Sequence, residues 1–360
     1  MPVDPSVHLL LAWLAVFYVL VVLFWAKRDT FQRLGVEATP FALVVRKGAS
    51  FDFAKRINPR IAKVLFTIGV FILAYVAFKF YASILALTLM RLSGVETPPA
   101  VTPIIPGVTV SLETFLVMLP ALGAAVVAHE VAHGIAARIE GVPVKSTGLM
   151  LIMGVLPAAF VEPEEEAFKK LRLLPKLRVL SAGVLANYLL ALLAINMLAM
   201  IGYHPVMVIL SVEPGSPAEK AGLKPGDVIL YVNGTRVDSI EELRRVINES
   251  RVVNVTVLRD GKHVSFLVEP RLVKGGAKMI GVIVGFRDPS LLHTLLRWLF
   301  FINWSLALIN AAPLVITDGG KALTEVCMRA IGQPGKIVSA VLQAATILML
   351  VVNVGIVRIG

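Results

Sequence analysis

The sequence is short of charge, short of acid and nearly without cysteine. Asp, Glu, Lys and Arg make up 16% of its 360 residues, where a soluble domain carries about a quarter. Acidic residues number 24 against 35 basic ones, a net charge of +11. The one cysteine, Cys327, excludes an internal disulfide framework and any reliance on an oxidising compartment. Its apolar and basic neighbours give it the character of a packed small residue rather than a nucleophile. What is abundant is apolar: 57% of residues are hydrophobic and the mean hydropathy is +0.81. That is more than one soluble core could hide, and it is the composition of a membrane protein. The basic residues cluster in loops beside apolar runs, where they attract anionic lipid heads. The expected partner is therefore a lipid bilayer, with no nucleic acid.

A spanning helix needs about 20 apolar residues to cross about 30 Å of hydrocarbon. Six stretches answer to that: Val7 to Ala26, Val64 to Met90, Leu112 to Arg138, Val179 to Ile201, Leu295 to Ile316 and Ile337 to Ile356. The first is too long for a signal-peptide core and follows no basic residue, so it is expected to be retained. A shorter run, Gly148 to Val161, is broken by Pro157 and cannot span alone. It reads as a re-entrant or interfacial hairpin, because irregular backbone at that depth is tolerated only against protein or a wet cavity. Residues 205–286 are different in kind: short β-rich runs alternate with turns at Asn233-Gly234 and Asp260-Gly261. One helical stretch there opens with Ser239 three residues before Glu242, the spacing of a capping box.

The fold expected is a polytopic α-helical membrane protein of about six transmembrane helices with an inserted small β-rich domain. Its intervals are 1–111, N-terminal helices and a basic loop; 112–204, the first part of a membrane core; 205–286, the insert; and 287–360, the second part. Nine basic residues lie between the first two runs (Lys27, Arg28, Arg33, Arg46, Lys47, Lys55, Arg56, Arg60, Lys63), whereas 91–111 holds only Arg91. The positive-inside rule puts the first loop in the cytoplasm. The loop after the third run is then also inside, consistent with its Lys145, Lys169, Lys170, Arg172, Lys176 and Arg178. The insert falls outside.

In the third run, Ala128-His129-Glu130-Val131-Ala132-His133 places two imidazoles four residues apart, on one helical face, with a carboxylate beside them. Two neutral imidazoles at that spacing suit Zn²⁺, and the intervening glutamate is placed to take a proton from a metal-bound water. Three ionisable groups within five residues of an apolar span are costly unless a metal and water compensate them. The bland alternative is a polar cluster that holds helices together by hydrogen bonds. A catalytic zinc wants a third protein ligand. Asp318, in Asn310-Ala-Ala-Pro313-Leu-Val-Ile-Thr-Asp318-Gly319-Gly320 at the end of the fifth run, is the best candidate. The third and fifth runs share one direction, so both motifs fall at similar depth. Rival ligands are Glu162, Glu164, Glu165 and Glu166, otherwise a solvated acidic loop, and Asp318 itself could be no more than a helix-ending Asp-Gly turn.

The HExxH, the later Asn-x-x-Pro with its Asp-Gly, and the domain between them resemble the site-2 protease family over about residues 112–330. The resemblance implies intramembrane proteolysis of membrane-anchored substrates with one Zn²⁺ per chain. His129, His133 and Asp318 would be its ligands and Glu130 the catalytic base. Asn187, in Ala182-Gly183-Val184-Leu-Ala-Asn187, matches a family Gly-Pro-x-x-Asn motif except at the proline. By resemblance it would hold the oxyanion or substrate backbone; an interhelical hydrogen bond is the plainer role. Asn310 and Pro313 would lie beside the substrate. Thr317 stands where the family usually has leucine. The stretch Glu213-Pro214-Gly215-Ser216-Pro217 through Pro225-Gly226-Asp227 to Val232-Asn233-Gly234 is similar to protease-linked PDZ domains. That similarity implies a carboxylate-binding loop near Gly281, equally an ordinary closing strand, and a domain that screens substrates. Two rivals are non-enzymatic: a PDZ scaffold with a structural metal, and a metal transporter.

Overall fold

The structure, a computed structural model, describes residues 5–48, 51–273, 276–355 and 357. The chain divides into two compact units, Met1–Asn196 with Leu295–Gly360, and Met197–Thr294. The first unit opens with α1 (Pro5–Ala26), α2 (Arg28–Arg33), β1 (Val36–Thr39) and β2 (Ala42–Gly48), followed by α3 (Pro59–Leu92), α4 (Leu112–Ile139), β3 (Val144–Ile152), β4 (Leu156–Pro163), α5 (Glu165–Lys169) and α6 (Leu173–Met200). The second holds β5 (Val206–Val212), α7 (Pro217–Ala221), β6 (Val228–Val232), β7 (Thr235–Arg236), α8 (Ile240–Glu249), β8 (Val253–Arg259), β9 (Lys262–Val268), β10 (Arg271–Leu272), β11 (Lys278–Met279) and β12 (Val282–Arg287). The chain then returns through α9 (Leu291–Ala311), α10 (Asp318–Ile331) and α11 (Pro334–Asn353).

Among the described residues five helices, α3, α4, α6, α9 and α11, are long and apolar enough to cross a membrane. The sixth expected span corresponds to α1, whose apolar part Leu11–Ala26 is shorter. Ile356, the expected end of the last span, lies outside the described residues. The helices start where local chemistry tells them to. Asn58 accepts from the amides of Arg60 and Ile61 with Pro59 in the first turn of α3, and Ser111 accepts from Thr114 N at the start of α4. Small residues let them approach closely: a Cβ on Gly69 of α3 would lie 3.2 Å from the Ser181 hydroxyl and 3.1 Å from Leu185 of α6.

Two expectations are corrected. The basic loop after the first run is not only a loop: β1 and β2 within it join β3 and β4 in an antiparallel sheet of order β1-β2-β3-β4. The β3-β4 hairpin is therefore backed by Ala42↔Ile152 through Gly48↔Ser146 pairing rather than standing alone. Its tip turns through Met153 and Gly154, both at positive φ, and Trp13 Nε1 of α1 donates to the Gly154 carbonyl at 2.5 Å. The fifth expected span, Leu295 to Ile316, stops as a helix at Ala311, and Asp318 does not end it but begins α10. Pro313, which has no N–H and a fixed φ, breaks the run between them.

The second unit is the expected β-rich insert. Its main sheet runs β12-β5-β6-β8-β9, with β7 paired to β6, over a core that includes Met207, Ile209, Val232, Val255 and Val257. Asn233-Gly234 and Asp260-Gly261 have positive φ at both positions, the backbone of tight hairpin turns. Ser239 accepts from Glu242 N at 3.1 Å, and Glu242 accepts from the Asp238 amide. Burial opposes the charge on Asp227, but both oxygens accept from the Arg259 guanidinium at 2.6 Å, and its pKa lies below the ordinary value.

Candidate metal centre

Three side chains from two helices meet in the first unit. His129 and His133 sit one helical turn apart near the end of α4, and Asp318 is the first residue of α10. The turn that delivers Asp318 is built from its own sequence. Thr317 caps α10 by accepting from Gly320 N at 3.2 Å while its hydroxyl lies 2.5 Å from the Ala312 carbonyl and 2.9 Å from that of Leu314. A Cβ on Gly319 would lie 2.0 Å from the Ala311 carbonyl oxygen, and one on Gly320 would lie 1.7 Å from that of Leu314. Only glycine lets the helix start this tightly against the preceding turn. Threonine at 317 is thus the cap that fixes the aspartate.

The ligand atoms form a nearly equilateral triangle. His129 Nε2 and His133 Nε2 are 3.1 Å apart, and they lie 3.2 and 3.1 Å from Asp318 Oδ2. Which nitrogen carries each proton follows from a chain of hydrogen bonds. Asn303 Nδ2 donates to the Leu299 carbonyl, which leaves Asn303 Oδ1 to accept from Asn187 Nδ2 at 2.9 Å. Asn187 Nδ2 also donates to the Ala125 carbonyl, so Asn187 Oδ1 faces His129 Nδ1, 2.7 Å away, as an acceptor. His133 Nδ1 faces the Val179 carbonyl at 2.7 Å. Both Nδ1 atoms face acceptors as donors, and in its neutral form each imidazole would turn its Nε2 lone pair inward. Three lone-pair atoms thus converge on one buried point. Such a convergence is repulsive unless a cation fills it, and a tetrahedral zinc with bonds of about 2.0–2.1 Å separates its ligands by about 3.3–3.4 Å. The donor set and spacing fit. Among the described residues this trio is the group of metal-binding type whose ligand atoms all lie within 4.8 Å.

A cavity of about 550 Å³ opens on the trio, walled also by Glu130, Val161, Phe168, Leu180, Asn310 and Lys321. Glu130 Oε2 accepts from the Val161 amide of β4 at 3.0 Å. Asn187 touches His129 rather than the cavity wall, and Asn310 lines the cavity while its amide donates to Leu306 O. Pro313 is not in the lining; it shapes the turn before Asp318. Gly281 belongs to the other unit, where it takes a φ of +81° and a Cβ would meet Ser216 at 2.3 Å. Of the rival acids, Glu162 pairs with Arg46 and Ser146, and Glu165 and Glu166 pair with Lys169. Sequence reasoning missed Asn303 and gave Gly183, a position of the Gly-Pro-x-x-Asn motif, no role of its own. Asn303 is a polar residue inside an apolar span, itself a signal. A Cβ on Gly183 would lie 2.4–2.5 Å from both imidazole rings, so glycine there keeps the imidazoles' space open.

The model of peptidase family M50 matches residues 117–352. An uncharacterized protein of Methanocaldococcus jannaschii is 31% identical over 206 residues, covering 55% of this chain and 54% of that protein. A presumptive zinc metalloprotease of Clostridium perfringens is 25% identical over 205 residues, 49% of this chain and 60% of that one. The chain thus spans little more than half the length of these curated relatives. Among solved structures, the PDZ domain of an SdrC-like protein from Listeria monocytogenes matches 23% of this chain and 88% of its own at 23% identity, with a TM-score of 0.21. If Asn187 fixes the tautomer of His129, Asn187→Ala weakens zinc binding about 10- to 100-fold, read by competition with a chromogenic chelator in detergent. Asn303→Leu shifts it the same way by less. Unaltered zinc affinity in both variants contradicts the hydrogen-bond chain.

Proposed function

Since the chain belongs to peptidase family M50, we propose that it is an intramembrane zinc metalloendopeptidase that cuts membrane-anchored proteins within their spanning segments. One observation carries the reading: the converging His129, His133 and Asp318 share a cavity with Glu130, inside a unit made largely of membrane-length helices. A bound zinc there supplies Lewis acidity to a scissile carbonyl and to an attacking water. Glu130 is the base: it accepts the water's proton and passes it to the leaving amide nitrogen. Asn187 and the Val179 carbonyl hold the imidazoles in the tautomers that leave their Nε2 atoms available. Charge asymmetry between the loops favours a site toward the cytoplasmic side and a 205–286 insert on the extracytoplasmic side.

A spanning substrate hides its amides in its own helix and has to unwind before attack. β4 pairs with β3 on one side only, and its Val161 N–H points to Glu130. An unwound segment added along that edge would run past the base. Ala159 lies two residues from Val161, so its N–H shares that edge. Ala159→Pro is expected to slow cleavage of a spanning reporter while zinc content holds; undiminished cleavage argues against strand addition. For the insert, we propose that it screens substrates by binding new C-termini or by excluding bulky ectodomains. Removing 205–286 should then raise cleavage of full-length relative to pre-trimmed substrate, and an unchanged ratio would sink the idea.

The decisive variant is Glu130→Gln. It should retain zinc and lose about 10²- to 10⁴-fold in cleavage rate, the usual worth of a general base, measured on a spanning reporter in detergent. A scaffold or transporter would keep its function with glutamine there.

A further inference from the structure

A second cavity, about 510 Å³, abuts the first: Phe168, Leu180 and Lys321 line both. It lies along α10 and α11, with Val315, Ala340, Ala344 and Ile347 on its walls beside Lys321, Lys336, Glu325, Thr324, Ser339 and Gln343. Its floor is a fixed polar network. Gln343 Nε2 donates to Ser339 Oγ at 2.8 Å and to Thr324 Oγ1 at 3.2 Å, and the two hydroxyls lie 2.8 Å apart. The one carboxylate among these lining residues, Glu325, pairs with Lys176 at 2.8 Å. Among the described residues no carboxylate pairs with Lys321 or Lys336. The second cavity therefore joins an apolar wall to two exposed lysines that form no ion pair among the described residues, and Lys321, which also lines the first cavity with Glu130 and Glu165, stands one helical turn from Asp318.

Resting on the proposed peptidase activity, we infer that this cavity receives the new C-terminal carboxylate of the N-terminal product fragment. Hydrolysis of an amide releases one carboxylate and one amine. The carboxylate would form beside His129, His133 and Asp318, which would hold the zinc, and a nearby cation would draw it away from that point. Lys321, on the wall shared by the two cavities, offers that cation, and Lys336 a second. The apolar wall suits the spanning residues that precede the cut. A free peptide C-terminus and an anionic lipid head share the charge; the apolar chain leading from the catalytic cavity favours the peptide.

The test uses the full chain carrying Glu130→Gln in neutral detergent, and a fluorescent Leu/Ala-rich dodecapeptide prepared with a free C-terminal carboxylate and as its amide. Anisotropy should show the acid binding about tenfold more tightly than the amide, the worth of one charge-assisted contact. Lys321→Ala and Lys336→Ala, with zinc content unchanged, should erase that preference, and Lys321→Arg should keep it. Equal binding of acid and amide overturns the inference. So does a preference that survives both alanine variants, which would place the carboxylate on the metal. Full displacement of the acid by micelles doped with anionic lipid, but not by the unlabelled acid peptide, assigns the cavity to lipid and overturns it as well. Because binding is read without cleavage, these outcomes are separate from the Glu130→Gln rate test, whose failure would sink the peptidase reading itself.

Discussion

The constraint on which the first unit's site depends is the aiming of three lone pairs at one point. His129 Nε2, His133 Nε2 and Asp318 Oδ2 lie 3.1–3.2 Å apart in a region of largely apolar helices, where ionisable groups are expensive. Such an arrangement persists only if packing holds the imidazoles from behind. Two oxygens do so, Asn187 Oδ1 and Val179 O, both brought by α6. Asn187 is in turn oriented by Asn303 of α9. The metal centre is thus a junction at which α4, α6, α9 and α10 constrain one another. The close approach of α6 to the rings depends on Gly183, as the entry of Asp318 depends on Gly319 and Gly320.

The same junction explains the broken helix after Ala311. A continuous helix would carry residue 318 about 10 Å beyond residue 311 along its axis, at 1.5 Å per residue. Pro313 ends the run and Thr317 restarts it, folding the chain back so that Asp318 opens a helix instead of closing one. An aspartate in the first turn of a helix also meets the favourable end of the helix dipole, which offsets part of the cost of keeping it ionised.

How much of this could be read from sequence depended on range. The spans, the hairpin turns at Asn233-Gly234 and Asp260-Gly261 and the Ser239 cap are local signals, and local rules carried them. The pairing of β2 with β3 joins residues about a hundred positions apart, and nothing in either strand alone encodes its partner. The charges of the first loop, informative about sidedness, hid the strand pattern of Ala42–Gly48. In the site, the HExxH spacing placed His129 and His133 on one face of α4, where their rings lie side by side. Asp318 was reachable only by combining spacing with topology. Asn303 carried a legible signal, a carboxamide in an apolar run. Pro313 was singled out by motif, and motif membership does not say which way a residue faces: it lies in the turn before Asp318 and not in the cavity lining.

Glu130 ties the metal centre to the sheet. Its carboxylate takes the Val161 amide of β4, so the group best placed to move a proton is also the partner of the edge on which an unwound peptide would lie. A peptide carbonyl that took the Val161 N–H would displace Glu130 from it and free the carboxylate toward the cavity it lines with the histidines. Under the proposed reading, then, substrate pairing and activation of the base are one exchange of hydrogen bonds. Until a strand arrives, that carboxylate oxygen is held by the Val161 amide of β4, which under the same reading would favour a segment that has already unwound.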